Sequence, residues 1–368
     1  MENDAWKPAA GVSPGIGASR RAYPLNCWWV AATAAEVGAT PIAKLILDRR
    51  IVLFRASDGA PCALLDCCPH RWAPLSRGKI IDSEIVCPYH GFRFNVRGEC
   101  THVPTERRAP QALRVGSYPA IEHGPFVWVW MGNPAKADPT LLPNIACHAD
   151  APVRIIGHRV TNCNYAAIHE NLADTEHVLY LHGESAGTGH SVSSRRQAPG
   201  AMDVSSRRVT FFSRRIDIPA GKLESLLLGL DENQGVDKST IATFTVPGCY
   251  LTEIAWKNRA PRPGMPAHVA GYYLWCSTPI SNTSCHFWWA LTYDHGHQVR
   301  REIEEAWNQV IEEDIDVLES IQSSMDWRKC IDDIPEIFVA ADRSVVAIRR
   351  ILTTAVEAEV ADGGSFPT

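Results

Sequence analysis

With 368 residues, 45% of them hydrophobic and 21% charged, the chain can bury a large core and divides most naturally into two domains. A net charge of -5 argues against nucleic acid as the main partner, and no run of eighteen apolar residues offers a transmembrane helix, so no membrane is expected. Twelve cysteines scattered at irregular intervals do not make a disulfide framework; with no basic stretch and apolar core at the N-terminus, they point to reduced thiols and a cytoplasmic protein.

Residues 1–22, rich in Gly, Pro, Ala and Ser, have no hydrophobic period and read as an N-terminal arm. From Tyr23 onward, short apolar runs alternate with turn signals: AKLIL, IVLFR, a turn at Ser57 to Gly59, and PCALLD are strands. IIDSEIVC reads as a hairpin, FRFNVRGECTHV as strands around Arg97 and Gly98, and PFVWVWMG as a closing strand. Residues 23–150 are therefore expected to form a small antiparallel β domain.

Between these strands lies CPHRWAPLSRGKIIDSEIVCPYH, which contains Cys68 and His70, then sixteen residues, then Cys87 and His90. Two thiolates and two imidazoles are the ligand set of a [2Fe-2S] centre in which histidines replace cysteines on one iron, and the pattern resembles a Rieske cluster. A Cys2His2 zinc site is the rival, but zinc sites pair like with like, whereas each half here holds one Cys and one His. Pro69, Pro88 and Gly91 suit tight loops. Trp72 stands where Rieske oxygenases usually carry Gly, so this loop is expected to bend differently.

Residues 151–368 are expected to form a second domain. PVRIIGHRVTNC reads as a strand, and NYAAIHENLADTEHVLYLH as a helical segment opening at Asn164. Within it Glu170, Asn171, Asp174, His177 and His182 spell E-N-x2-D-x2-H-x4-H, with Asp174 and His177 on one helical face. His182 lies about 140° round an ideal helix from His177, so both imidazoles reach one ion only if the helix kinks or unwinds. Two histidines and a carboxylate form the facial triad of non-haem Fe(II) oxygenases. Such an iron would accept the electrons of a high-potential cluster upstream.

LESLLLGLDENQG is a short helix or a mobile loop over the pocket, set among β-branched and aromatic runs that suggest an antiparallel sheet. RREIEEAWNQVIEEDIDVLESIQ is helical, with Ile303, Trp307, Val310, Ile311, Asp314, Val317, Leu318 and Ile321 on one side. Asp314 interrupts that apolar stripe, and an inward carboxylate is paired or metal-bound. Asp314 is thus the candidate third ligand, with Glu313 and Asp316 as rivals. Arg195, Arg196, Arg207, Arg208, Arg214 and Arg215 form a basic run that is either a solvated strand edge or a docking patch for an acidic partner.

Taken together, YPLNCWWVAA, CPHRWAPLSRGKI with CPYHGFRF, and STPISNTSCHFWWAL make the chain similar, over residues 23–325, to oxygenase (alpha) components of Rieske non-haem iron oxygenases. The branch it resembles contains vanillate O-demethylase and dicamba monooxygenase. The resemblance implies an α+β protein, a Rieske [2Fe-2S] domain followed by a helix-grip catalytic domain with mononuclear Fe(II). It implies that Cys68, His70, Cys87 and His90 hold the cluster and that His177, His182 and Asp314 hold the iron. Asp174 would bridge a cluster histidine of one subunit to an iron-ligating histidine of its neighbour, in a homotrimer, and Asn171 would lie beside the iron.

The implied reaction is monohydroxylation or oxidative demethylation of an aromatic small molecule with O2. The alternative is a ring cis-dihydroxylase; an electron-transfer-only Rieske protein would leave Ala151 to Thr368 without work. No G-x-G-x-x-G follows a strand, so electrons from NAD(P)H require a separate reductase or ferredoxin. His286, beside Phe287, is either an anchor for a substrate carboxylate or phenol or a core histidine.

Overall fold

In the computed structural model, residues 23–146, 154–174, 176–183, 185, 200–231, 234–293, 301–328 and 336–361 are described; the expected arm and the Arg195 and Arg196 end of the basic run lie outside them. Up to residue 146 the chain folds into short strands, as the alternating runs predict. They are β1 (Trp28–Thr33), β2 (Ile42–Ile46), β3 (Arg49–Arg55), β4 (Pro61–Leu65), β5 (Lys79–Ile81), β6 (Glu84–Val86), β7 (Arg93–Phe94), β8 (Cys100–His102), β9 (Ser117–Tyr118), β10 (Ala120–His123) and β11 (Phe126–Trp130). Three antiparallel sheets result, ordered β2-β3-β4-β9, β5-β6-β7-β8 and β1-β11-β10.

The β5–β6 hairpin turns through Asp82 and Ser83, both at positive φ (51° and 65°), which gives a two-residue turn whose twist matches the flanking strands. Beneath it Val52, Phe54, Leu64, Leu75, Ile85, Phe92 and Phe94 share one core with Cys68 and Cys87. The two cysteines are therefore set in a packed base.

From residue 154 onward, a seven-stranded antiparallel sheet is ordered β12-β18-β17-β16-β15-β14-β13. Its strands are β12 (Arg154–Thr161), β13 (Ala201–Val204), β14 (Arg208–Pro219), β15 (Gly235–Thr245), β16 (Cys249–Asn258), β17 (His268–Ser281) and β18 (Ser284–Tyr293). Among the described residues, four α-helices accompany it: α1 (Tyr165–Ala173), α2 (Lys222–Leu228), α3 (Arg301–Arg328) and α4 (Arg343–Ala361). Alternation along β18 divides the aromatic run. Cys285, Phe287, Trp289, Leu291 and Tyr293 join the core that contains the helices, whereas Trp288 and Ala290 pack with Trp28, Val30, Phe126, Trp128 and Trp130 of the β1-β11-β10 sheet. The large sheet thus has helices on one face and the smaller sheet on the other. No helix among the described residues is long and apolar enough to cross a membrane.

One open alternative is decided and two expectations change. The LESLLL stretch is a packed helix rather than a lid: Leu223, Leu227 and Leu228 are buried, and Gly229 ends α2 in the left-handed region at φ 66°. Along α3 the buried stripe runs through Ile303, Ala306, Trp307, Ile311, Ile315 and Leu318, so Ile321 is exposed and Ile315 takes an inward place instead. The segment after Asn164 is not one helix. α1 ends at Ala173, and a separate turn of 3-10 helix spans His177–Leu179.

Candidate active site

Cys68 follows β4, and Cys87 follows β6; the two loops repeat one backbone design. In the first, Trp72 N–H donates to Cys68 C=O (2.8 Å) and Cys68 N–H to Ala73 C=O (2.9 Å). In the second, Gly91 N–H donates to Cys87 C=O (3.1 Å) and Cys87 N–H to Phe92 C=O (2.8 Å). Trp72 and Gly91 are equivalent positions, and both are left-handed, at φ 58° and 71°. The expected difference in bending is therefore absent: Trp72 adopts the conformation a glycine would take, at a cost of roughly 1–2 kcal/mol for an L-residue. Its side chain is 81% exposed.

The loops bring the four candidate cluster residues together. Burial pushes the Cys68 thiol up to about 12, reinforced by the adjacent Cys87 and opposed by the backbone N–H groups of His70 and Arg71. Those amides are placed to stabilise sulfur charge. The His70 and His90 rings lie 4.7 Å apart and are exposed, while both cysteines are buried. Paired inner thiols and paired outer imidazoles are the donor set that a two-iron cluster would take; a metal-free core would gain nothing from that grouping.

The second constellation depends on the break after α1. Asn164 caps the helix start by accepting from Ala166 N–H, and Ser344 Oγ of α4 donates to the terminal Ala173 C=O (3.0 Å). Asp174 leaves the helix in extended conformation, and its Oδ1 accepts from Glu176 N–H (2.8 Å), opening a new turn. Asp174 and His177 therefore do not share a helical face. They meet across the turn instead, with His177 Nδ1 3.7 Å from Asp174 Oδ2. The unwinding required by the His177–His182 spacing is present: the chain leaves α1 before His177, and the 3-10 turn itself ends at Leu179, so His182 lies in the turn that follows.

This path carries both imidazoles to α3. His182 Nε2 lies 3.1 Å and His177 Nε2 3.5 Å from Asp314 Oδ1, and Asn171 Nδ2 donates to the same oxygen at 3.0 Å. The ligand atoms of His177, His182 and Asp314 all lie within 4.8 Å of one another. Burial disfavours charge on His182, but Asp314 and then Glu313 outweigh it and raise the pKa above the ordinary value. Asp174 is shifted the other way: burial would raise it, while His177 and the Glu176 amide lower it further. A nook that favours a proton on His182 favours a metal cation in the proton's place.

Of the rival ligands, Glu313 turns both oxygens away to other partners, and Asp316 is exposed. His286 is a core histidine on the face away from the helices, bonded to His158 Nδ1-to-Nε2 at 3.0 Å and to Leu45 C=O at 3.1 Å, and is no substrate anchor. In the described part of the basic run, Arg207 is tied to Val246 C=O and Cys27, and Arg208 and Arg214 are exposed. The sequence reading missed Arg349 on α4, which grips the buried Glu170 through both carboxylate oxygens. The apolar spacing of Val345, Ile348, Ile351 and Leu352 was the signal for that helix.

The Rieske [2Fe-2S] domain family matches residues 27–119, and the family "Vanillate O-demethylase oxygenase C-terminal domain" matches residues 161–358, well past the residue 325 limit of the resemblance read from sequence. The oxygenase component of dicamba O-demethylase from Stenotrophomonas maltophilia is 33% identical over 74% of this chain and 78% of its own length. A crystal structure of dicamba monooxygenase bound to 3,6-dichlorosalicylic acid superposes with a TM-score of 0.82 at 28% identity, covering 92% of this chain and 98% of that one. Another, with non-haem iron and dicamba, does so at 0.74 with the same identity and coverage.

Proposed function

The chain belongs to the Rieske non-haem iron oxygenases of the vanillate O-demethylase type, and from that premise we propose that it is a terminal oxygenase that demethylates or monohydroxylates an aromatic small molecule. One observation carries the assignment of the site: His177 and His182 converge on a single carboxylate oxygen of Asp314, which lies over a hundred positions away in sequence. We assign residues 23–150 to the cluster domain and residues 151–368 to the catalytic domain. Cys68, Cys87, His70 and His90 would hold the cluster; His177, His182 and Asp314 would hold Fe(II). When bound, these groups supply single electrons and an open coordination position for dioxygen.

The chain's own residues orient and insulate that chemistry. Asn171 donates to Asp314 and so fixes the carboxylate plane. Asp174 stands 3.7 Å from His177 and keeps an outward edge, its side chain 35% exposed, from which a second histidine can be reached. His70 and His90 are exposed at the tip of the cluster loops, beside Trp72 and Tyr89, which is 64% exposed. This supports a homotrimer in which the tip of one copy meets Asp174 of the next. A separate reductase or ferredoxin, drawing on NAD(P)H, would feed the cluster. The free thiols suit the reducing cytoplasm.

Tyr273, Trp275, Phe287, Trp289, Tyr293 and Trp307 form a packed aromatic cluster of the large sheet and α3, and an interior of that composition is compatible with an apolar, aromatic substrate. The test is incubation with methoxylated and carboxylated aromatics, a surrogate reductase and NADH, with formaldehyde and hydroxylated product both measured. Formaldehyde or a monohydroxylated product is expected; a cis-diol would replace this reading by ring dihydroxylation.

A further inference from the structure

The two histidines beside Asp314 are held in different ways. His177 Nδ1 is buried and has no hydrogen-bond partner among the described residues, since Asp174 stands 3.7 Å off. His182 Nδ1 lies 2.8 Å from Glu313 Oε2. That carboxylate is itself fixed: Ser185 Oγ donates to Oε2 at 2.6 Å, and Gln309 Nε2, one turn earlier on α3, donates to Oε1 at 3.1 Å. A metal-ligating Nε2 carries no proton, so the proton of a neutral His182 resides on Nδ1 and is donated to Glu313.

We propose that Glu313 is a positioning residue for the metal centre: it locks His182 in the Nε2-ligating tautomer and orientation and strengthens it as a donor, which makes His182 the anchoring histidine and leaves His177 the adjustable one. This rests on the reading of His177, His182 and Asp314 as the iron site. Adjacent positions on α3 thereby serve the same imidazole from opposite sides, Asp314 toward Nε2 and Glu313 at Nδ1. Glu313 does so only because the turn that follows the 3-10 segment sets His182 down between them. His182 is 2% exposed, so water does not compete for Nδ1.

The test uses the full chain with its cluster intact and its mononuclear site emptied by chelation. Co(II), whose visible bands report ligand geometry, and Fe(II) are titrated into the wild type, Glu313→Gln, Glu313→Leu and Asp314→Ala. Glu313→Leu is expected to weaken binding on the order of 10- to 100-fold and to alter the Co(II) bands. Glu313→Gln, which keeps an acceptor without the charge, should lose less, and the cluster absorption should be unchanged in all. Unaltered affinity and bands in a Glu313→Leu protein with normal cluster absorption and melting would overturn the proposal. So would loss of binding as complete as in Asp314→Ala, which would make Glu313 a ligand. If the wild type itself takes up no Co(II) or Fe(II), the reading of the site fails rather than the role of Glu313. Should Glu313→Leu fold poorly, Ser185→Ala, which frees one bond to Glu313, is expected to show a several-fold loss in the same titration, and wild-type affinity there would overturn the proposal.

Discussion

The two candidate metal sites are built by opposite means. The cluster residues sit in two loops that repeat one hydrogen-bond scheme, both rooted in the core of Val52, Phe54, Leu75 and Phe94, within a stretch of chain from Cys68 to His90. The mononuclear residues come from a broken helix and from α3, and His182 meets Asp314 across 132 positions of sequence. Their alignment also needs α4, which holds α1 through Arg349 to Glu170 and through Ser344 to Ala173 C=O. A local site tolerates changes elsewhere. A site assembled from distant segments inherits every weakness of the supports between them.

That contrast is sharpest in the ligands themselves. Cys87→Ser should abolish the Rieske visible absorption and electron resonance signal while Co(II) still binds the second site; His177→Ala should do the reverse. Loss of both signals in either variant would show that the sites do not form independently. Next in size is the α4 clamp. Arg349 pairs with Glu170 and Glu336, and burial raises the Glu170 carboxyl against the pull of Arg349. Arg349→Met would leave that carboxylate unpaired and cost about 3–5 kcal/mol. Chemical denaturation should register it, with iron retention falling and cluster absorption preserved; adding Glu170→Gln should restore part of the loss. An Arg349→Met protein of wild-type stability and iron retention would break the claim that the second site depends on α4.

Asp174→Asn is a smaller and more selective change. Both metals should remain, checked by analysis, while turnover falls on the order of 10- to 100-fold. Full product formation with verified metal content would remove Asp174 from the electron route. The smallest effect expected is a gain. Trp72→Gly should stabilise the cluster region by about 1 kcal/mol, because glycine takes the left-handed conformation without strain. The midpoint of cluster bleaching on heating would report it. A drop instead would mean that the exposed indole is covered in the assembled protein and contributes more there than the strain it carries.

How much of this could be read from residues alone follows the same division. C-x-H-x16-C-x-x-H singled out the candidate cluster residues because each loop closes on itself through backbone bonds only four and five positions long. The alternating runs likewise located most strands, since a period of two is a local property. Trp72 was the exception: a general preference for glycine suggested a different bend, but two flanking hydrogen bonds imposed the left-handed backbone anyway. Asp174 and His177 were placed on one helical face because no local signal shows that Ala173 is capped by Ser344 of a helix arriving 171 positions later.

Residue identity and spacing therefore determined the family's kind of metal chemistry and pointed to the candidate cluster ligands and to Asp314, from an interrupted apolar stripe, as the candidate third ligand. Only the tertiary structure decided where the helix after Asn164 breaks, that His286 faces the wrong side of β18, and that Glu313 backs His182 rather than competing with Asp314. These depend on contacts between segments that know nothing of one another until the sheet and helices close, and hydrogen bonds of that reach leave no period in the chain.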